Sequence, residues 1–439
     1  MPEVGWVDRS IGDCLNTSFA GEWGSEPAPG NAIVLRATDI DNDGHVVGAG
    51  AIRSIPNSKL CAKRLHQGDI LLEGSGGGPD KPVGRVALFD ASAHSSPAVC
   101  SNFFKTLRPA PHVVHDRFLW RKLGWFYRQP ALLALQQQTT GIINLKFAEY
   151  LCVRISLPVD VAEQVKIAEV LDTLDTTIRQ TEAIIAKLKQ VKQGLLHDLL
   201  TRGIADNGEL RPPQSEAPHL YKESALGWIP MAWRCETVGT AIESPPRNGI
   251  YKPASDIGAG TLLVGQTAFT SDGSVDFMLA RRARVTNGEC ETFGLQESDL
   301  LVSRVFATRE GVGQPVIIPR LAEPAVYESN MMRLRVRREL IASRLLFLWL
   351  KHRTARAWIM SRAFASNQAS INQETLCSVP LPLPSHEEQG AILAALGAQE
   401  GRLRNENLTL VKQRALKSGL MDDLLTGRVR VTPLLNAET

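Results

Sequence analysis

One stretch of this chain occurs twice. Residues 194–201 read GLLHDLLT and residues 419–426 read GLMDDLLT, an offset of 225. The same offset pairs Glu163-Gln164 with Glu388-Gln389, Ile167 with Ile392, Leu171 with Leu396, Lys187 with Lys412 and Lys192 with Lys417. So many matches in one frame mark a duplication, and whatever one copy folds into, the chain must build twice. The repeat extends backward at drifting offsets, as loop insertions produce. Trp6 and Ile11-Gly12 align with Trp233 and Val238-Gly239, and Gly68–Leu72 with Ser298–Val302. Val83-Gly84 aligns with Val312-Gly313, Ser101-Asn102 with Ser329-Asn330, and Ile143-Asn144 with Ile371-Asn372.

Each copy closes on a long helix. From Val161 to Leu200 there is no proline and only Gly194 among glycines. Positions 167, 171, 174, 178, 181, 185, 188, 192, 195 and 199 step by 4 and 3 and are apolar except Thr181 and Lys192. That spacing is a coiled-coil seam with two polar interruptions. The second copy repeats it, more polar, from Ile392 through Gln399, Glu406, Gln413 and Lys417 to Leu424. A helix that packs only on its own globular part is the simpler reading. Two seams of equal length favour helices that pair with each other, antiparallel because the chain must return.

The globular parts read as mixed α/β. Ile70–Glu73, Arg85–Phe89, Leu300–Val302 and Pro315–Ile318 are short apolar runs bounded by Gly or Pro, hence strands. Leu345–Met360 reads as an apolar, aromatic helix. Asn207–Ala217 is polar, holds Pro212-Pro213 and reads as a linker. The expected organisation is α+β in tandem. A globular domain spans 1–157 and a long helix 158–204. A linker covers 205–225, a second globular domain 226–383 and a second long helix 384–430.

Composition excludes more than it assigns. The seven cysteines are scattered with no C-x-x-C pair, which leaves reduced thiols in a cytoplasmic protein as the expectation. No apolar run reaches the about 18 residues of a membrane span, and no signal-peptide pattern opens the chain. Between Arg281 and Arg362 lie 15 Lys/Arg against 8 Asp/Glu. Such a stretch is either a phosphate-facing surface or a solvated, arginine-rich face.

Catalytic patterns fail one by one. Gly74–Gly78 is glycine-rich, but Lys81 sits between Asp80 and Pro82 rather than in the Gly-Lys-Ser/Thr of a phosphate loop, so a flexible loop is expected. Ser244-Pro245-Pro246-Arg247 lacks the Asn and the aromatic of an adenine-methyltransferase motif. No Asp-x-Lys or Glu-x-Lys is present to accompany Pro79-Asp80 in a nuclease site, and no His spacing suits a metal. The expectation is a chain without catalytic residues or metal ligands.

The order of these elements resembles the specificity subunits of type I restriction-modification systems. Leu-Pro precedes each helix (Leu157-Pro158, Leu383-Pro384), and Glu-Gln opens it. GLLHDLLT or GLMDDLLT closes it, and Gly-Trp opens each copy (Gly5-Trp6, Gly227-Trp228). Ser298 departs from the Gly expected before the second strand. The resemblance implies two target-recognition domains, each reading half of a bipartite site in double-stranded DNA, with the paired helices as a ruler. It implies partners: two modification (methylase) subunits and restriction (motor-nuclease) subunits. It also implies that S-adenosylmethionine, ATP and Mg belong to those partners and not to this chain. A scaffold that holds subunits together without touching DNA is the alternative.

Base edges are read by polar side chains on loops. Candidates follow the Asp-Ile-Leu-type strand in each copy: Ser75, Lys81 and Arg85, then Ser303, Arg304, Thr308 and Arg309. A second polar loop precedes each Ile-Asn pair and adds Gln138, Thr139 and Thr140, then Asn367 and Gln368.

Overall fold

The computed structural model describes residues 5–26, 29–76, 82–139, 141–364 and 368–436. It comprises two compact units, Met1–Ile184 with Glu406–Thr439, and Ile185–Asn405. The long helices are Val161–Thr201 and His386–Thr426. Each unit therefore takes its globular part from one repeat and a length of helix from both.

Within the first unit a four-stranded antiparallel sheet runs in the order Leu15–Ala20, Phe104–Pro109, Ile70–Glu73, Val86–Leu88. A three-stranded sheet orders Ala51–Arg53, Ala32–Leu35 and Ala98–Cys100, the last two parallel. The second unit repeats both orders. Its four strands are Arg247–Asn248, Met331–Leu334, Leu300–Ser303 and Pro315–Ile317, and its three are Arg281–Ala283, Ile257–Val264 and Ala325–Tyr327. The central strands Ile70–Glu73 and Leu300–Ser303 are buried on both faces, which is why they read as continuous apolar runs rather than alternating ones.

A two-stranded clasp joins the start and end of each globular part. Trp6–Ser10 pairs with Arg154–Pro158, and Arg234–Thr237 with Pro380–Leu383. The prolines of the second clasp are tolerated because a two-stranded ribbon has a free edge. The polypeptide thus leaves for its long helix beside the point where it entered.

The glutamate and glutamine that open each helix are buried and fully used. Gln164 accepts the N–H of His115 at 2.8 Å and donates to the carbonyl of Pro158 at 2.8 Å. Gln389 accepts from Ala342 N–H at 2.9 Å and donates to Pro384 at 3.1 Å. Glu163 takes both Nε and Nη2 of Arg430, at 2.6 and 2.7 Å. Glu388 takes both terminal nitrogens of Arg211 and the indole N–H of Trp233 at 2.9 Å. Each arginine lies beyond the end of the helix that belongs to the other repeat. Each helix start is therefore locked by the other helix's exit.

The two lysines of the seam are paired as well. In the first unit Lys417 reaches Asp175, which Arg121 also contacts. In the second, Lys192 reaches Glu400 at 2.8 Å, which Arg344 contacts at 3.1 Å. Asp175 and Glu400, like Lys192 and Lys417, are equivalent by the 225 offset. In the first unit Asp175 meets Lys417 and Glu182 meets Arg414, so the two helices run antiparallel there. Thr181 satisfies its hydroxyl on its own helix, at Thr177 O.

Two letter matches of the repeat are out of structural register. Gly74 and Ser75 donate to the carbonyl of Phe103, and Arg304 and Val305 to that of Asn330, which makes Phe103 and not Asn102 the partner of Asn330. Asn372 accepts from Thr375 N–H as a helix N-cap, whereas Asn144 lies in a strand. The departure at Ser298 leaves the backbone unchanged: Gly68 has φ 82° and Ser298 φ 72°, the one positive φ outside glycine among the described residues. The turn places Asp69 on Arg108 and Asp299 on Arg335, each through both carboxylate oxygens. No helix among the described residues is long and apolar enough to cross a membrane.

One contact keeps its place in both copies and changes its chemistry. In the first unit the Trp125 indole donates to Asp422 at 2.7 Å. In the second, His197 replaces the aspartate and stacks on His352, with ring nitrogens 3.0 Å apart and Arg353 3.1 Å from His197. Burial first, then His197 and Arg353, pulls the His352 pKa down from 6.5 to about 4. The folded state thus binds the neutral ring and the unfolded chain takes the proton first. Stability contributed here is complete above about pH 6.5 and falls toward pH 4, by about 3 kcal/mol in all. Amide exchange in 343–362 is expected to quicken over that range, and a His352→Asn variant to flatten the response. An unchanged slope in the variant would contradict the assignment.

Candidate nucleic-acid interface

The central strand of each four-stranded sheet ends where the candidate residues begin. In the first unit Ser75–Gly76 is not loop but strand, paired with Ile143 and Asn144. Gln136–Thr139 runs antiparallel to Ile142–Leu145 on the other side. Ser75, Gln138 and Thr139, distant in sequence, thus share one small sheet. Gln136 anchors it by accepting from and donating to the backbone of Val83, both at 3.0 Å. Gln138 is exposed and Ser75 half-buried. Lys81 and Thr140 lie outside the described residues, as does the side chain of Thr139.

Arg85 belongs to the protein's own framework. Its Nε and Nη2 bind Glu73, at 2.9 and 3.1 Å, and that hydrogen bonding raises its pKa. It also donates to the carbonyl of Ala37 at 3.3 Å.

The second unit brings the same two stretches together. Val305 and Phe306 pair with Ser370 and Ala369, and Phe364 bridges to Ser370 on the far side. Thr308 and Arg309 are exposed, and Arg304 is half-buried. Arg309 Nε donates to the Met360 carbonyl at 2.9 Å, which leaves the rest of its guanidinium outward. Gly311 is required beneath this loop, because a Cβ there would meet the Phe306 ring. Gln368 is exposed; Asn367 lies outside the described residues. Ser303 is a correction: it is wholly buried in the last position of the central strand, with its hydroxyl unpartnered, and presents nothing to a ligand.

Part of the basic stretch is engaged within the fold. Arg281 pairs with Glu328, Arg282 with Glu323, Arg335 with Asp299 and Arg344 with Glu400. Arg356 is buried and donates to the carbonyls of Glu310 and Val312. Among the described residues, Arg304, Arg309 and Arg362 form no ion pair, and neither do Arg284, Arg320, Arg333, Arg337, Arg338 and Arg353. Arg362 was missed by the loop-based reading because it ends the helix Arg353–Arg362. Its guanidinium lies 3.5 Å from the Trp358 ring centroid. Among the described residues no group of His, Cys, Asp or Glu is arranged to hold a metal.

The family model for the type I restriction modification DNA specificity domain matches residues 3–190 and 267–412. The chain is 22% identical over 341 residues to the type I restriction enzyme MjaVIII specificity subunit of Methanocaldococcus jannaschii, covering 76% of this chain and 75% of that protein. It is 25% identical over 261 residues to the EcoKI specificity subunit of Escherichia coli K12, covering 58% and 52%. A chain from a solved type I R-M system structure superposes with TM-score 0.62 at 16% identity, covering 98% of this chain and 100% of that one. The HsdS subunit of Thermoanaerobacter tengcongensis superposes with TM-score 0.54 at 16% identity, covering 98% of each. The duplicated sheets, the paired helices and a family match over both repeats agree: this chain belongs to the type I restriction-modification DNA specificity family.

Proposed function

We propose that each globular part reads one half of a split site in double-stranded DNA, through the small sheet at the end of its central strand. One observation carries this. Two stretches far apart in sequence meet at the same structural place in both repeats, at Ser75 with Asn144 and at Val305 with Ser370. Exposed polar or basic side chains surround each meeting point. The reading residues are Ser75 and Gln138 in the first unit, and Arg304, Thr308, Arg309 and Gln368 in the second. Thr139, Thr140, Lys81 and Asn367 remain candidates by sequence.

The helix pair sets the gap between the half-sites and docks modification subunits, with restriction subunits completing the complex. This chain performs no catalysis. S-adenosylmethionine, ATP and Mg act in the partners.

Arg309→Ala in the assembled complex is expected to weaken binding by about 1–3 kcal/mol if the contact is to a base, and to relax the second half-site. A phosphate contact would instead weaken all sites alike and lower the salt dependence. If Arg304→Ala and Arg309→Ala complexes both bind like wild type across several salt concentrations, this sheet is not the reader.

A further inference from the structure

The two small sheets are built alike but present different chemistry at one position. Leu145 N–H donates to the Gly74 carbonyl and Ile371 N–H to the Arg304 carbonyl, both at 2.9 Å, so Leu145 and Ile371 are equivalent. One residue back, Asn144 faces Gln137 and Ser370 faces Phe364. Gln137 and Phe364 therefore hold the same place. Both are exposed, Phe364 to 60%. One unit offers an amide there and the other a bare phenyl ring.

The surroundings of Phe364 narrow what the ring can meet. Arg362, two residues earlier, is exposed and stacks on Trp358. Gln368 is exposed, and Arg309 is tied to Met360 at the end of the same helix. A polyanion drawn to these arginines would bring its base edges to the ring. Phosphates gain nothing from a phenyl group. Among base-pair edges, one group is apolar: the C5 methyl of thymine in the major groove.

We propose that Phe364 reads a thymine methyl in the half-site contacted by the second unit. This rests on the DNA-reading function proposed above. The equivalent position of the first unit carries the amide of Gln137, so that unit has no methyl requirement there.

The test removes only that methyl. The complex of this chain with its modification subunits is bound to duplexes of its mapped site in which each thymine in turn is replaced by deoxyuridine. One replacement in the second half-site should weaken wild-type binding about three- to tenfold, as expected for loss of one buried methyl. Phe364→Ala should bind the thymine site more weakly by a similar factor and no longer distinguish the two bases. Phe364→Leu should keep the distinction.

A second half-site without thymine on either strand overturns the proposal, as does equal deoxyuridine sensitivity in the Ala variant. Binding that follows the flexibility of a pyrimidine–purine step and ignores the methyl also overturns it, because the ring would then be a wedge. If Arg304→Ala and Arg309→Ala weaken binding while no methyl matters, the methyl assignment alone falls. If those variants also bind like wild type, the DNA-reading role of this sheet falls with it.

Discussion

Glu388→Ala is expected to destabilise the second unit by about 3–5 kcal/mol and to leave the first unit within about 0.5 kcal/mol of wild type. The carboxylate is buried and accepts from Arg211, from the Trp233 indole and from the Ile204 N–H at 2.9 Å. Its removal strands a guanidinium and an indole N–H in a site with little water. An uncompensated buried charge, rather than a lost surface ion pair, sets this magnitude. Gly203, at φ 66°, packs against the same three side chains, so the site cannot collapse without moving the helix exit.

Glu388→Gln retains an acceptor and should lose less. Glu163→Ala should transfer the effect to the first unit, since Glu163 holds Arg430 in the same way. Amide exchange resolved by unit is the readout. Equal losses in both units, or a loss under about 1 kcal/mol, would show that these clasps do not secure the helix starts.

Much of this was legible in the sequence because duplication repeats signals. The helices announced themselves by spacing. The buried strands announced themselves as short apolar runs, and Glu-Gln by occurring twice at the same place. What those two residues do was not legible. Their partners, Arg211 and Arg430, follow the opposite helix, and no local pattern links residues so far apart.

The candidate interface was half legible. Polarity near 75, 138 and 304 pointed to stretches that the fold brings together in the small sheets. It could not separate Ser303, the last buried residue of a strand, from Arg304, the first to emerge, since burial changes there within one residue. Nor could it show that Arg85 is taken by Glu73, or that Phe364 stands where the first copy has Gln137. Short letter matches misled in the same way. Ser-Asn and Ile-Asn recur, but hydrogen-bond register and not residue identity decides equivalence in a sheet.

Lengthening both long helices by seven residues should abolish binding to the original split site and shift it toward a longer gap. Each helix has 41 residues, so each spans about 60 Å. A heptad inserted at the middle of each preserves the alternating 4 and 3 spacing of the seam. At 1.5 Å per residue it adds about 10 Å. In DNA that is about three base pairs, given about 34 Å per turn. Three base pairs also turn the far half-site by about 100°, whereas a heptad turns the helix surface by about 20°. The recognition surfaces would then reach the wrong groove face of the original site. Recovery at longer gaps should be partial, because DNA must twist to restore phase.

The direct measurement is the affinity of the assembled complex for duplexes that differ only in the number of base pairs between the half-sites. The wild-type chain should show a sharp optimum at one gap, and the lengthened chain an optimum about three base pairs longer. A lengthened, folded chain that still prefers the original gap, or a wild-type chain indifferent to the gap, would contradict the proposal that the helix pair sets the gap between two half-sites.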